Sequence, residues 1–388
     1  MTARHPTHHL RFRLKPLVGC LATALVIATA VTPACAANLA VTGCLDGDGQ
    51  SGGTTLRSVV AGTHDGDVVD MSRLTCSTIT LVGGPIPVNV RSLTIQGPTD
   101  RPLVISGAGA DRVIEQLGAG TTLAVENLTI ADGYAQSIDP SGGCIYSRGD
   151  VLLVNSIVTH CTARGRAQTS TQDSRGGGVY AAGTVTLLSS MVSENVAMED
   201  DPSRLAAGGG IYAKGAFVAK YSTISNNLAS NSAKIDNSFS GGIHARGATL
   251  NNSIVDHNSA FRFGGVQSSG NSFVVSSTIS ANTAIMRAGG MDVFGPYSLV
   301  VRNSTIALNS TGDGAGGIEA IVANVAMEGS IIASNLGTLT SFGGEDLYLD
   351  ESDSSFTLTG SDNVIISANL FKSPPGFIAV NTDPNLLP

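Results

Sequence analysis

The chain of 388 residues contains no tryptophan, and only 5% of its residues are aromatic. Composition therefore offers no broad aromatic platform of the kind that stacks on polysaccharide. Charged residues make up only 13%, with 22 Lys and Arg against 30 Asp and Glu. That shortage of cations excludes nucleic acid and anionic membrane surfaces as natural partners. No apolar run reaches the ~20 residues that a membrane-spanning helix needs. Beyond residue 36 there is no Cys-x-x-Cys or His-x-x-His spacing, so no zinc site is expected and no metal ligands are assigned.

Residues 1–36 read as a secretory signal. Arg4, Arg11, Arg13 and Lys15 form a basic start, Leu17 to Val31 is apolar, and Ala34-Cys35-Ala36 offers a small-x-small cleavage site. Removing the leader takes four cations and no acids, leaving 18 basic against 30 acidic residues, a net charge of −12. The expected location is bacterial and outside the cytoplasm: secreted, periplasmic or on the cell surface, with no transmembrane span in the mature chain. Cys44, Cys76, Cys144 and Cys161 remain, an even number in an exported protein. Proximity favours Cys44–Cys76 and Cys144–Cys161; free buried thiols are the alternative.

Glycine is abundant, 47 residues, and much of it is periodic. Gly-Gly-aliphatic recurs at Gly142-Gly143, Gly177-Gly178, Gly209-Gly210, Gly241-Gly242, Gly264-Gly265, Gly289-Gly290 and Gly316-Gly317. About a dozen residues after most of these comes a Ser-x-Ile-like segment ending in Asn. Its aliphatic positions are Val158, Val192, Ile224, Val255, Ile279, Ile306 and Ile332, spaced by 34, 32, 31, 24, 27 and 26 residues. A repeat of that length made of short β-branched segments between Gly and Asn bends is one turn of a β-solenoid. Stacking at about 4.8 Å per coil, ten or so coils make a rod roughly 50 Å long.

The recurring asparagines Asn195, Asn227, Asn258, Asn282, Asn309 and Asn335 are expected to form a structural ladder. Such a residue can take a left-handed backbone or bond to local main chain, and its amide can bond to its equals one coil away. Cys161 takes the same place in its own unit.

These repeats resemble the right-handed parallel β-helix, the pectate-lyase-like coil, and the Gly-Gly-Ile…Asn rhythm is similar to that of chlamydial polymorphic outer-membrane proteins. The amino-terminal segments Thr55-Leu56-Arg57-Ser58-Val59-Val60-Ala61-Gly62, Gly66-Asp67-Val68-Val69-Asp70 and Cys76-Ser77-Thr78-Ile79-Thr80-Leu81 resemble the start of bacterial choice-of-anchor surface proteins. So does Leu93-Thr94-Ile95-Gln96-Gly97-Pro98. The resemblance covers roughly residues 44 to 388 and implies a short amphipathic helix plugging the first coil. The expected architecture is all-β: a signal over 1–36, a cap over 37–78, and one single-stranded right-handed parallel β-helix over 79–388. The tail Asp383-Pro384-Asn385-Leu386-Leu387-Pro388 resembles the start of a closing segment, which raises the reading of a secreted remnant of a longer anchored protein.

Function is less legible. The residue after each aliphatic should point outward, giving the column Tyr146, Tyr180, Tyr212, His244, Gln267, Asp292, Glu319. This reads either as a carbohydrate-facing stripe or as an ordinary solvated face. Insertions over 162–175, 197–207 and 229–240 should form a ridge beside the tyrosines, carrying Arg164, Arg166, Arg175, Arg204 and Lys234. An acidic glycan or a host or cell-surface protein would dock there. The leading expectation is an exported, non-catalytic, adhesin-like surface protein without a cofactor.

The alternative is a polysaccharide lyase or glycoside hydrolase. Its catalytic candidates are His244, Asp256, His257, Asp292 and Glu319, with Lys214, Lys220, Arg246 and Arg262 as available bases. A lyase would call for calcium held by stacked acids. Asp292 and Glu319, one coil apart, would stand about 5 Å from each other, nearer the retaining than the inverting spacing. Asp46-Gly47-Asp48-Gly49, Asp200-Asp201 and Glu345-Asp346 are weaker cation candidates.

Overall fold

The computed structural model describes residues 36–47, 54–167, 169–321, 324–337, 346–350 and 357–369. Residues 1–35 of the signal segment, Asp48, Gly49, Glu345 and the tail from 383 lie outside them. Almost every described element is a short strand, and every strand pairing is parallel. Among the described residues the strands form three sheets, of 21, 11 and 10 strands. The chain is a parallel β-solenoid, as its repeat requires.

One coil shows the plan. Ile145–Ser147 and Asp150–Val154 lie in the longest sheet, Ile157–Thr159 in the second, and Thr162–Gly165 in the third. In the next coil Val179–Ala181, Val185–Leu188, Met191–Ser193 and Val196–Glu199 repeat it. Stacking is in register. Ile79, Ile105, Ile130, Val158, Val192, Ile224, Val255, Ile279, Ile306, Ile332 and Ile365 are successive partners in the second sheet. All are buried, forming one wall of a core that runs along the axis. Each such side chain contributes about 1.5–3 kcal/mol by leaving water.

The asparagine ladder is continuous. Asn195 donates its amide and its backbone N–H to Asn227 Oδ1, each at 3.0 Å, and its Nδ2 also reaches the Val158 carbonyl at 3.1 Å. The pattern repeats through Asn258, Asn282, Asn309 and Asn335. The left-handed residue is not the ladder Asn but the one before it: His160, Glu194, Asn226, His257, Ala281, Leu308 and Ser334 all have positive φ. A left-handed backbone costs roughly 1–2 kcal/mol at a non-glycine residue, and the two bonds made by the adjacent Asn offset it. That division explains why the left-handed position tolerates Leu or Glu while the ladder position does not vary as widely.

A second ladder passed unread in the sequence. The backbone N–H groups of Ser156, Ser190, Ser222, Ser253, Ser277 and Ser304 each donate to the serine hydroxyl one coil on, at 3.1–3.3 Å. It ends with Ser330 on Asn363 Oδ1 at 3.1 Å.

At the amino end, the helix Leu56–Ala61 carries a Thr55/Ser58 capping box and buries Leu56 and Val60. Arg57 grips Asp46 at 2.8 and 2.9 Å. Asp46 also accepts from the Val82 and Gly83 amides, so it is a structural anchor, not an available cation ligand. Both disulfides, Cys44–Cys76 and Cys144–Cys161, are formed.

Candidate ligand-binding groove

The outward column of the longest sheet is in register, Tyr146, Tyr180, Tyr212, His244, Gln267, Asp292 and Glu319 being successive partners. Strand alternation placed it in solvent. It does point away from the core cluster, yet Tyr146, Tyr180, Asp292 and Glu319 are buried, Asp292 completely. The cause is a second column. Arg175, Ala207, Phe239, Arg262 and Met286 are successive partners in the third sheet, within a few residues of the Gly-Gly corner. The corner turns the chain so sharply that the two columns share one outer face. A Cβ on Gly265 would stand 2.4 Å from the Gly290 carbonyl oxygen, so the corner closes only without side chains.

Between the columns lies a cleft of about 660 Å³, floored by Tyr212, His244, Gln267 and Asp292 and walled by Arg175, Phe239, Arg262, Phe263, Arg287 and Phe294. A second cleft of about 590 Å³ adjoins it, sharing Tyr212, His244 and Phe294 and adding Lys214, Arg246 and Tyr297. Together they form one groove across successive coils.

The floor is graded in polarity. Tyr146, Tyr180, Tyr212 and His244 stack face to face, with ring centroids 5.0, 5.8 and 4.6 Å apart. Arg175 sits 5.5 Å from the Tyr212 ring centre. Burial, helped by the Arg175 charge, lowers the His244 pKa to about 4, so the imidazole is neutral at physiological pH. Burial first, and then the Glu319 charge, pushes the Asp292 carboxyl well above the usual range, with Arg287 partly opposing. Glu319 lies 3.2 Å from Arg287. The raised pKa favours the protonated form of Asp292, the form that has an O–H to donate. Among the described residues neither of its oxygens has a protein hydrogen-bond partner, and the same holds for Gln267 Oε1 and Arg262 Nε.

The insertion ridge differs from its expected character. Its outer parts run 166–173, 200–205 and 232–237, since the residues before and after them continue the third sheet. Its cations are mostly paired. Arg164 lies 3.0 Å from Asp200, Arg175 2.5 Å from Asp173, Arg204 3.4 Å from Asp201 and Lys234 3.7 Å from Asp236. Arg166 is exposed and, among the described residues, has no ion pair of this kind. Compensating charge makes the ridge a brace, and only Arg175 among its cations reaches the groove. The brace is anchored by buried Glu199, which accepts from Ser174 Oγ and the Asp200 and Asp201 amides, each at 3.1 Å.

Asp256 and His257 pair with each other at 2.9 Å but lie on the second sheet and line neither cleft. His244, Lys214, Arg246 and Arg262, by contrast, each line one cleft or both. Asp200 and Asp201 are engaged by arginines, and Asp346 ends the asparagine ladder. Among the described residues no cluster of three or more His, Cys, Asp and Glu could hold a metal. The groove-lining Phe239, Phe263, Arg287 and Phe294 went unremarked in the sequence; the first three share a signal, a large residue one or two places before a Gly pair.

Comparison with known protein families, curated proteins and solved structures returns no match.

Proposed function

We propose that this protein is an exported β-solenoid that binds an extracellular glycan, non-catalytically, with a single saccharide unit seated in the cleft over His244, Gln267 and Asp292. One observation carries the reading: Gln267, Asp292 and Arg262 line one cleft, and Gln267 Oε1, both Asp292 oxygens and Arg262 Nε are buried with, among the described residues, no protein partner. Buried polar atoms left unpaired cost about 1–3 kcal/mol each, a cost that ligand hydroxyls, which both donate and accept, would remove. Tyr212, Phe239, Phe263 and Phe294 supply the apolar faces on which a pyranose ring lies. Two disulfides fit a location outside the cytoplasm. Among the described residues no helix is long and apolar enough to cross a membrane.

The test is titration calorimetry of the purified chain against a glycan panel, with Gln267→Ala and Asp292→Ala beside wild type. Binding by wild type that each variant weakens at least tenfold supports the reading. A folded protein that binds no member of the panel sinks it. The second reading, a glycoside hydrolase, is favoured by one feature, the buried side chain of Asp292 beside that of Glu319, its register partner. New reducing ends released by wild type and lost in Asp292→Asn would replace the binding role with turnover.

A further inference from the structure

The groove is not uniform along its length. In the first cleft most charge is compensated locally: Arg175 faces Asp173 at 2.5 Å and Arg287 faces Glu319 at 3.2 Å, while Arg262 lies over the Phe239 ring at 5.2 Å. In its floor Gln267 Oε1 and the two Asp292 oxygens lie buried with, among the described residues, no protein partner.

The adjoining cleft is the opposite. Lys214 and Arg246 line it, and among the described residues no acid does. Both side chains are exposed and follow the register partners Ala213 and Ala245 on successive coils. They flank the one irregularity in that pairing, a register shift between Ala213 and Ala216. On a mature chain with net charge −12, two neighbouring cations without an acid between them concentrate positive potential at one place. The clefts share Tyr212, His244 and Phe294, so units bound in them would be contiguous.

Resting on the glycan-binding reading, we propose that the groove comprises two subsites recognising an uncharged sugar, over Gln267 and Asp292, joined to a sugar bearing a carboxylate or sulfate ester, held by Lys214 and Arg246. A uniformly anionic chain is disfavoured because two of the three arginines it would seek in the first subsite, Arg175 and Arg287, are already held by Asp173 and Glu319. A uniformly neutral chain leaves Lys214 and Arg246 unused.

The experiment is calorimetry of the purified chain with four probes. These are an oligosaccharide alternating N-acetylglucosamine and glucuronate, its carboxyl-reduced neutral form, that neutral form carrying sulfate esters on alternate sugars, and a homopolymeric oligouronate. The alternating probe is expected to bind at least tenfold more tightly than the neutral form and than the oligouronate. The double variant Lys214→Gln, Arg246→Gln should bind the alternating probe and the neutral form with equal affinity, and a circular dichroism melting curve like that of wild type shows that the variant is folded. If the sulfated probe outbinds the carboxylated one, the anion is a sulfate ester; the reverse order makes it a carboxylate. Equal affinity for the alternating and neutral probes overturns the two-subsite assignment and leaves glycan binding standing. Equal or tighter binding of the oligouronate overturns it as well. Absence of binding by all four probes overturns the assignment together with the reading on which it rests.

Discussion

Asn335 donates both its backbone N–H and its side-chain amide to one carboxylate oxygen, Asp346 Oδ1, at 2.9 and 2.8 Å. The other Asp346 oxygen accepts from the Ser367 amide at 2.9 Å. The ladder that begins at the Cys161 N–H on Asn195 Oδ1 thus closes on an acceptor-only group. An amide at that end would bring two further N–H donors needing partners, whereas a carboxylate brings none.

Removing a middle rung should be costly. Asn282→Ala deletes the acceptor for the Asn258 N–H and amide, and the amide bond from Asn282 to the Val255 carbonyl. With each buried group left unpaired worth about 1–3 kcal/mol, the expected loss is on the order of 3–5 kcal/mol. Urea unfolding measures it, and a loss below about 1 kcal/mol would mean that the ladder is ornamental.

The glycine corner should be intolerant of a methyl group. Gly265→Ala places a Cβ 2.4 Å from a carbonyl oxygen and 3.0 Å from the Asn282 side chain. Adjacent coils would have to part, and a fall of several degrees in Tm is expected, read by circular dichroism. An unchanged Tm would refute the close packing described for the corner.

Two groove residues should move stability with pH in opposite senses. His244 has its pKa depressed to about 4 from an unfolded value near 6.5. The unfolded chain therefore takes the proton first, and stability falls as pH drops from about 6.5 toward 4, by on the order of 3 kcal/mol. Asp292 has its pKa raised. Its contribution is fully present below the unfolded carboxylate value and is lost as pH rises toward the folded one. Denaturation curves across pH 4–8 for His244→Gln and Asp292→Asn check this. The first variant should flatten the acid limb relative to wild type, and the second should gain on wild type as pH rises. Parallel curves for all three proteins would contradict both assignments.

The Cys144–Cys161 bridge closes a short loop with a sequence separation of 17. It joins the residue after a Gly-Gly corner to the position where later coils have their ladder asparagine. Replacing both cysteines by alanine should cost about 3 kcal/mol by the chain-entropy estimate. Reductant should destabilise the double variant less than wild type, because only Cys44–Cys76 is left in it to reduce; equal losses in the two proteins would mean that Cys144–Cys161 contributes nothing.

The amino-acid sequence by itself determined the solenoid, its coil length, the aliphatic wall from Val158 to Ile332 and the identity of the ladder asparagines. These follow from periodicity, because a parallel coil stacks each position on its own equivalent and any requirement of the stack must recur at every turn. Which face was dry was decided only in three dimensions. Tyr146, Asp292 and Glu319 obey the alternation that points them away from the core, yet they are buried: Arg112 lies 5.1 Å from the Tyr146 ring centre, Arg287 3.2 Å from Glu319, and Asp292 lines the cleft that Arg175, Phe239 and Arg262 help to wall. Strand alternation specifies a direction relative to one sheet. Whether that direction meets water depends on the angle at the Gly-Gly corner and on the side chains beyond it, which do not follow the same repeat. The ridge follows the same logic: its arginines were visible in the chain, but their pairing with Asp173, Asp200 and Asp201 arises from the stacking of separate coils.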